Sequence, residues 1–219
     1  MTSSPIVPYP MPDVASLPAG GPPWTIDPRR SALLVQNVQK YRLHALHGNA
    51  PVGELLAAVG RLTRSARSAG VPVVYAVRVP GQRATAAETG SRAAAPEPPA
   101  RDGDRAVADV VQPQAGDTVL VAKRYSAFAG TRLRARLTEL GRDQLIVVGV
   151  AARAEVMLTA ADAWMQDLRP FVVADAVVDR TAGDHAMAVR WMADTCAAVT
   201  VTDAVVEAFR GGRTEAAAG

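Results

Sequence analysis

The sequence predicts a three-layer α/β/α domain built on a mostly parallel, six-stranded β-sheet. Short apolar, β-branched segments alternate with segments of helical periodicity, a pattern typical of a parallel sheet covered by helices on both faces. The length of 219 residues suits one such domain, and a hydrophobic content of 49% is sufficient for a continuous core. The pattern therefore favours one α/β domain over two small ones.

The alternation allows six strands and four helices to be assigned in order. The strands are predicted at residues 31–37, 71–77, 118–122, 144–149, 170–175 and 198–202. The helices are predicted at residues 52–69, 130–140, 155–167 and 183–196. The first two helices are each followed by a glycine, Gly70 and Gly141, which can adopt the left-handed conformation of a C-terminal cap.

The ends of the chain differ in composition from its middle. Residues 1–30 are rich in proline and are predicted to form an arm that packs on the main body, which spans residues 31–210. The Ala-rich segment 211–219 is expected to be a disordered tail.

One long irregular segment, residues 78–104, interrupts the predicted elements. It is rich in Pro, Ala, Arg and Gly, and a loop of this length in a compact domain is usually either disordered or functional. Arg78, Gln82 and Arg83 are its polar candidates for a functional role, and a plain solvated loop is an equally weighted alternative for each.

Composition and charge exclude several classes of function. The formal net charge is only +3 and the arginines are scattered among acids, so a nucleic-acid partner is not expected. No apolar run approaches the roughly 18 residues of a membrane span, and no secretory signal is recognisable, so a cytoplasmic protein without a membrane partner is predicted.

Metal and cofactor sites are likewise not predicted. His44, His47 and His185 are too scattered to form a metal cluster, and no glycine-rich phosphate loop follows a strand. The single cysteine, Cys196, lies in an Ala-rich helical stretch and is interpreted as a small buried thiol.

Three positions fall at the carboxyl ends of predicted strands. They are Asn37, Ala122 and the pair Gly149 and Val150. Ligands of parallel α/β sheets collect at these ends, so a cleft is predicted there.

Several segments resemble the isochorismatases of the cysteine-hydrolase superfamily. They are residues 31–41 (SALLVQNVQKY), 124–128 (RYSAF) and 149–156 (GVAARAEV). The arm, with YPMP at 9–12 and DPRR at 27–30, is similar to that of the isochorismatases of phenazine and siderophore pathways. The resemblance implies an isochorismatase-like, Rossmann-like fold, a homodimer, and a small-molecule substrate in secondary metabolism.

The resemblance also shows three replacements at positions where the family has its catalytic residues. Where hydrolases of the family carry an Asp, a Lys, and a Cys or in true isochorismatases a Gly, this chain has Asn37, Ala122 and Glu155. The family's Asp is understood to donate a proton to a vinyl ether. The carboxamide of Asn37 has no proton to donate near neutral pH, although it can still form hydrogen bonds.

Glu155 lies in the turn before a predicted helix and has two interpretations. It could stabilise the positive end of the helix as a first-turn acid, or it could be a relocated general acid or base in the pocket. It could also anchor a cationic group, or its bulk could narrow or close the pocket. Arg153 is a candidate partner for it or for a substrate carboxylate.

Further candidates for substrate binding come from the resembling segments. Gln39 and Tyr41 match positions at the pocket entrance, Ala151 follows the fourth strand, and Tyr125 lies in a shared motif that is structural or substrate-binding. Lys123 is displaced by one residue from the family's Lys. It can act as an active-site cation only if the strand end bulges, and it is otherwise a surface or interface charge.

Three functions are compatible with these residues. The first is a diverged biosynthetic enzyme without a cofactor, which hydrolyses, eliminates from or cyclises a small cyclic carboxylate with Glu155 as acid or base. The second is a catalytically silent relative that binds a small molecule or a partner subunit. The third is a residual isochorismatase that uses another acid.

Overall fold

A computed structural model describes residues 9–46, 50–78, 103 and 105–217. Six strands form one sheet in the order β3-β2-β1-β4-β5-β6, and every neighbouring pair is parallel. The strands are β1 Ser31–Gln36, β2 Val73–Val77, β3 Thr118–Val121, β4 Gln144–Val150, β5 Arg169–Val178 and β6 Ala198–Thr200. The predicted α/β fold with a six-stranded parallel sheet is confirmed.

Helices connect the strands and cover the sheet. They are α1 Lys40–His44, α2 Ala50–Ser68, α3 Leu133–Glu139, α4 Met157–Met165, α5 Ala182–Thr195 and α6 Thr202–Ala217. Short 3₁₀ turns occur at Val14–Ser16 and Asp109–Val111, and a π-helical turn, Ala152–Val156, precedes α4 directly. The helix predicted at residues 155–167 is thus divided into a π-helical turn and a shorter α-helix.

Two apolar layers lie on opposite faces of the sheet. One contains Leu33 and Val35 with residues of α2 and α6, and the other contains Leu34 with residues of α3, α4 and α5. Successive side chains of a strand point to opposite faces, so both faces of β1 are buried. This arrangement explains why the strands have continuous apolar sequences.

The end of β4 requires a glycine. Gly149 has a φ of +130°, and a Cβ atom at this position would overlap the carbonyl oxygen of Gln36 on β1. The pairing of β4 with β5 also shifts register between Val147 and Gly149. The end of β4 therefore lies very close to β1 and is irregular. Both features shape the edge of the sheet where the predicted site lies.

Residues of the N-terminal arm contact the main body. The Tyr9 hydroxyl donates a hydrogen bond to the Asp179 carbonyl oxygen (3.1 Å), and the Trp24 ring meets the Phe171 ring edge-on at 6.2 Å between centroids. The Asp27 N–H donates to Oε1 of Gln144 (2.8 Å). Direct packing and hydrogen bonds therefore join arm and sheet.

Most of the segment 211–219, which is predicted as a disordered tail, is helical in the structure. Helix α6, which was not predicted, continues to Ala217. Alanine and glutamate favour helix, and Gly212 lets the helix approach Pro28 so closely that an added Cβ would lie 2.7 Å from its Cγ. Residues 218–219 lie outside the described part of the chain.

Some predictions fall on residues that the structure does not describe. The predicted loop 78–104 is described only at Arg78 and at residue 103, so Gln82 and Arg83 lie outside the described residues, as does His47. Among the helices that are described, none has the length and apolar character needed to cross a membrane.

Candidate functional site

Asn37 lies at the carboxyl end of β1 with its side chain completely buried. Its φ is +54°, a left-handed conformation that asparagine tolerates better than most residues, and its N–H donates to the Ala76 carbonyl (2.8 Å). Neither Oδ1 nor Nδ2 has a hydrogen-bond partner among the described residues. Buried amide groups are nearly always hydrogen-bonded in folded proteins, so this pair of atoms indicates a place for a ligand or water.

Glu155 lies in the π-helical turn that follows β4. Its N–H donates to the carbonyl of Ala151 (2.9 Å), and its side chain is completely buried. Oε1 accepts a hydrogen bond from the Arg42 guanidinium and another from Nη1 of Arg78 (3.1 Å). The carboxylate is therefore held by two cationic side chains, one from α1 and one from the residue after β2.

Arg78 reaches Glu155 from the residue after β2. Its own backbone is fixed by Gln39, whose Oε1 accepts from the Arg78 N–H (2.8 Å) and whose Nε2 donates to the Arg78 carbonyl (2.9 Å). The Arg78 guanidinium carbon lies 5.3 Å from the centre of the Tyr125 ring, a distance typical of a cation–π contact. Gln39 thus positions the backbone of Arg78, and Tyr125 and Glu155 position its side chain.

Gln36 connects the end of β1 to two other parts of the site. Its Nε2 donates to the carbonyl of Tyr125 (2.8 Å) and lies 3.4 Å from the carbonyl of Glu155. Its Oε1 is buried and has no hydrogen-bond partner among residues 9–46, 50–78, 103 and 105–217. Residues of β1, the π-helical turn and the segment after β3 therefore surround one small region.

Three of the predicted site residues contact a fourth, Arg78, and others lie near them. Glu155, Arg78, Gln39 and Tyr125 are joined by the contacts above, and Ala151 accepts the Glu155 N–H. Tyr41 is buried in α1, one residue before Arg42. Asn37 follows Gln36 directly, at the same edge of the sheet.

The Arg153 side chain is directed away from Glu155. Its Nε lies 3.4 Å from Asp184 at the start of α5, and 52% of the side chain is exposed. Residues two apart in a helical turn point to nearly opposite sides, which explains why Arg153 does not pair with Glu155. Its N–H instead donates to Oδ2 of Asp179 (2.6 Å), the residue that also binds Tyr9 of the arm.

The end of β3 shows no bulge that would bring Lys123 into the site. The Ala122 N–H donates to the carbonyl of Val77 (2.8 Å), so the ladder continues in regular register, and Ala122 is buried while Lys123 is exposed. Lys123 lies in a bend after the strand. The exposed position of Lys123 agrees with the second sequence-based interpretation, a surface or interface charge.

Arg42 was missed by sequence reasoning, although it contacts Glu155 most directly. It lies in α1, a five-residue helix that was not predicted, and 17% of its side chain is exposed. A signal was available, because Arg42 follows Asn37 by five residues and must lie near the carboxyl end of β1. The pattern of the sequence did not show which way this short helix turns.

No group of three or more His, Cys, Asp or Glu side chains that could hold a metal lies within the described part of the chain. Cys196 is buried, and burial raises the pKa of its thiol to about 11. The thiol is therefore protonated at neutral pH and is a poor nucleophile.

Comparison with known proteins identifies a matching family model and similar sequences. The family model described as "Isochorismatase domain" matches residues 31–204. The chain is 40% identical over 212 residues to the phenazine biosynthesis protein PhzD of Pseudomonas fluorescens, covering 94% of this chain and 100% of that protein. It is 33% identical over 201 residues to enterobactin synthase component B of Escherichia coli (strain K12), covering 91% of this chain and 70% of that protein.

Solved structures show the same fold. A cysteine hydrolase from Pseudomonas syringae pv. phaseolicola 1448A superposes with a TM-score of 0.75 at 20% identity, covering 89% of this chain and 99% of that one. An isochorismatase family protein from Burkholderia thailandensis superposes with a TM-score of 0.74 at 22% identity, covering 85% and 98%. The resemblance stated from the sequence motifs is confirmed, and the chain belongs to the isochorismatase family.

Proposed function

We propose that this protein is a biosynthetic enzyme of the isochorismatase family that acts without a cofactor on a small cyclic carboxylate. Its relatives include the phenazine biosynthesis protein PhzD and the enterobactin synthase component, which are named for biosynthetic pathways. Hydrolysis, elimination and cyclisation are the reaction types that the site residues could support.

The buried amide of Asn37 is the observation that carries this proposal. A side chain with both polar atoms buried and without partners among the described residues costs stability unless a ligand or water completes its hydrogen bonds. Asn37 lies at the end of β1, where a parallel sheet places its ligands. A substrate oxygen or hydroxyl beside Asn37 would satisfy these groups.

Glu155 is the proposed acid or base of the reaction. Asn37 cannot exchange a proton near neutral pH, and Glu155 is a carboxylic side chain that the fold brings to the same edge of the sheet. Two arginines contact its carboxylate and hold it at this edge of the sheet. Arg42 and Arg78 also supply the positive charge that a substrate carboxylate requires.

The test is turnover of candidate substrates by purified wild-type protein and two variants. Isochorismate, 2-amino-2-deoxyisochorismate and further cyclic carboxylates are incubated with each protein, and products are identified by mass spectrometry. We expect isochorismate to be a poor substrate, because losing a positioned general acid lowers rates by about 10²–10⁴. Glu155→Gln should abolish turnover of the true substrate, and Glu139→Gln, which changes an exposed acid, should not.

A second candidate function is a silent relative that binds a small molecule or a partner subunit. The observation in its favour is that Glu155 is completely buried and ion-paired twice, as a structural carboxylate would be. Binding of cyclic carboxylates without conversion of any of them would favour this candidate. If Glu155→Gln still converts the substrate, Glu155 is not the acid or base of the reaction.

The homodimer implied by the family remains a prediction. Sedimentation equilibrium at micromolar concentration should give a mass near twice 22.9 kDa. A mass of one chain would contradict it.

A further inference from the structure

The arginines around Glu155 have the geometry of a site for a carboxylate. Arg42 and Arg78 come from different elements, α1 and the end of β2, and both donate to one oxygen of the same carboxylate. Guanidinium groups bind carboxylates through charge-assisted hydrogen bonds, which are among the stronger polar contacts in proteins. The side chains of both arginines are largely buried, with 17% and 15% exposed, so this contact is shielded from solvent.

Arg78 is held in position independently of Glu155. Gln39 fixes its backbone through two hydrogen bonds, and the Tyr125 ring lies beside its guanidinium group. A cation held in this way keeps its place when the carboxylate that contacts it changes. Preorganised positive charge of this kind is a common feature of binding sites for anions.

The carboxylate of Glu155 is the anion that both arginines contact. Next to it, Asn37 keeps two buried amide atoms, and Gln36 one carbonyl oxygen, without partners among the described residues. Polar groups of this kind would surround the remaining atoms of a small ligand whose carboxylate lay on the arginines.

We propose that Arg42 and Arg78 form a binding site for a ligand carboxylate, and that the Glu155 side chain fills this site from within the chain. Glu155 and the ligand then compete for the same guanidinium groups. Arrival of the ligand moves Glu155 off the arginines. The inference rests on the proposed function only in taking a carboxylate-bearing ligand.

Chemical rescue tests the site without any need for turnover. Glu155→Ala removes the tethered carboxylate and leaves two buried guanidinium groups, so the variant should melt at a lower temperature than wild type. Sodium acetate should raise that melting temperature in a saturable way, because a ligand of the folded state stabilises it. Acetamide and sodium chloride are the controls for shape and ionic strength, and neither should reproduce the effect.

A double variant tests whether stabilisation by acetate depends on Arg78. In Glu155→Ala combined with Arg78→Met, acetate should no longer raise the melting temperature beyond the effect of chloride. Equal stabilisation by acetate, acetamide and chloride, or rescue that persists in the double variant, would overturn the inference.

The conservative variant provides a second measurement should Glu155→Ala not fold. Glu155→Gln keeps the shape of the side chain and removes its charge, so benzoate should bind it on the order of tenfold more tightly than wild type, measured by calorimetry. Equal or weaker binding would refute competition. If acetate stabilises Glu155→Ala, or benzoate binds Glu155→Gln more tightly, while the wild-type protein converts no substrate, the carboxylate site is supported and the proposed enzyme is refuted. If the wild-type protein converts a substrate but neither binding effect is observed, the enzyme is supported and the carboxylate site is refuted.

Discussion

Gln39 holds the backbone of Arg78 at both of its polar groups. Oε1 of Gln39 accepts from the Arg78 N–H at 2.8 Å, and Nε2 donates to the Arg78 carbonyl at 2.9 Å and to the Arg105 carbonyl at 2.6 Å. One buried side chain after β1 therefore sets the direction in which the residue after β2 leaves the sheet. Because Arg78 contacts Glu155, Gln39 acts on the site without touching the carboxylate.

Gln39→Leu should destabilise the protein and loosen Arg78. The leucine fills similar volume but leaves buried backbone groups without partners, which costs about 1–3 kcal/mol in the free energy of unfolding. Urea unfolding followed by circular dichroism measures the change. The matched control is Gln112→Leu, because Gln112 is exposed and its side chain donates to the nearby Asp109 side chain. A cost below about 0.5 kcal/mol for Gln39→Leu would show that these bonds contribute little.

Glu155→Gln should lower the free energy of unfolding as well as turnover. Removing one charge from a buried ion pair costs about 3–5 kcal/mol, because both arginines lose the buried carboxylate that they contact. A first-turn acid that only complemented the helix would cost about 0.3–1 kcal/mol. Glu139→Gln is the control, since Glu139 forms ion pairs with two arginines on the surface. Equal losses for the two variants would argue against a buried, ion-paired Glu155.

The sheet could be predicted from the sequence because its strands are buried on both faces. β1 was predicted at 31–37 and found at Ser31–Gln36, and β4 at 144–149 and found at Gln144–Val150. The short helix α1 was missed because five residues carry too little periodicity to recognise. The C-terminal helix was missed because two adjacent glycines, Gly211 and Gly212, lower helix propensity, and packing outweighs this effect.

The candidate site could be predicted in part for the same reason. Asn37, Gln39, Arg78 and Glu155 follow strands, and the rule for parallel sheets places such residues at one edge. The partners of Glu155 could not be predicted, because they depend on side-chain directions after short turns. Arg153 was favoured as a partner by its proximity in sequence, whereas Arg42, more than a hundred residues away, makes the contact.

Gly149→Ala should destabilise the protein severely. The added Cβ would overlap the Gln36 carbonyl oxygen, and a φ of +130° is accessible to almost no residue but glycine. We expect a loss above about 4 kcal/mol or failure to fold, measured by the yield of soluble protein and by urea unfolding. Gly53→Ala in α2 is the control, because its Cβ would meet no atom within 4 Å and alanine should stabilise the helix by about 0.5–1 kcal/mol. Comparable effects for the two variants would refute the close approach of β1 and β4.

The last prediction concerns the pH dependence that His185 gives to stability. His185 is buried in α5, with Nε2 lying 3.0 Å from the Ala174 carbonyl and the Tyr9 ring edge-on at 5.6 Å. Burial lowers the pKa of His185 from its ordinary 6.5, against the opposing effects of the Ala174 carbonyl and the Asp179 charge. The unfolded chain therefore binds the proton more readily than the folded protein does.

Stability from the neutral His185 should be complete above its unfolded pKa of 6.5 and should be lost as the pH falls from there toward the lower folded pKa. The slope is limited to about 1.4 kcal/mol per pH unit, the value for one proton. Urea unfolding at pH 7.5 and 5.5, two values chosen to bracket the change at about one unit on either side, should show a larger loss for wild type than for His185→Gln. This substitution removes the titrating group but keeps a donor for the Ala174 carbonyl. Equal losses for the two proteins would mean that His185 is protonated as readily in the fold as in the unfolded chain.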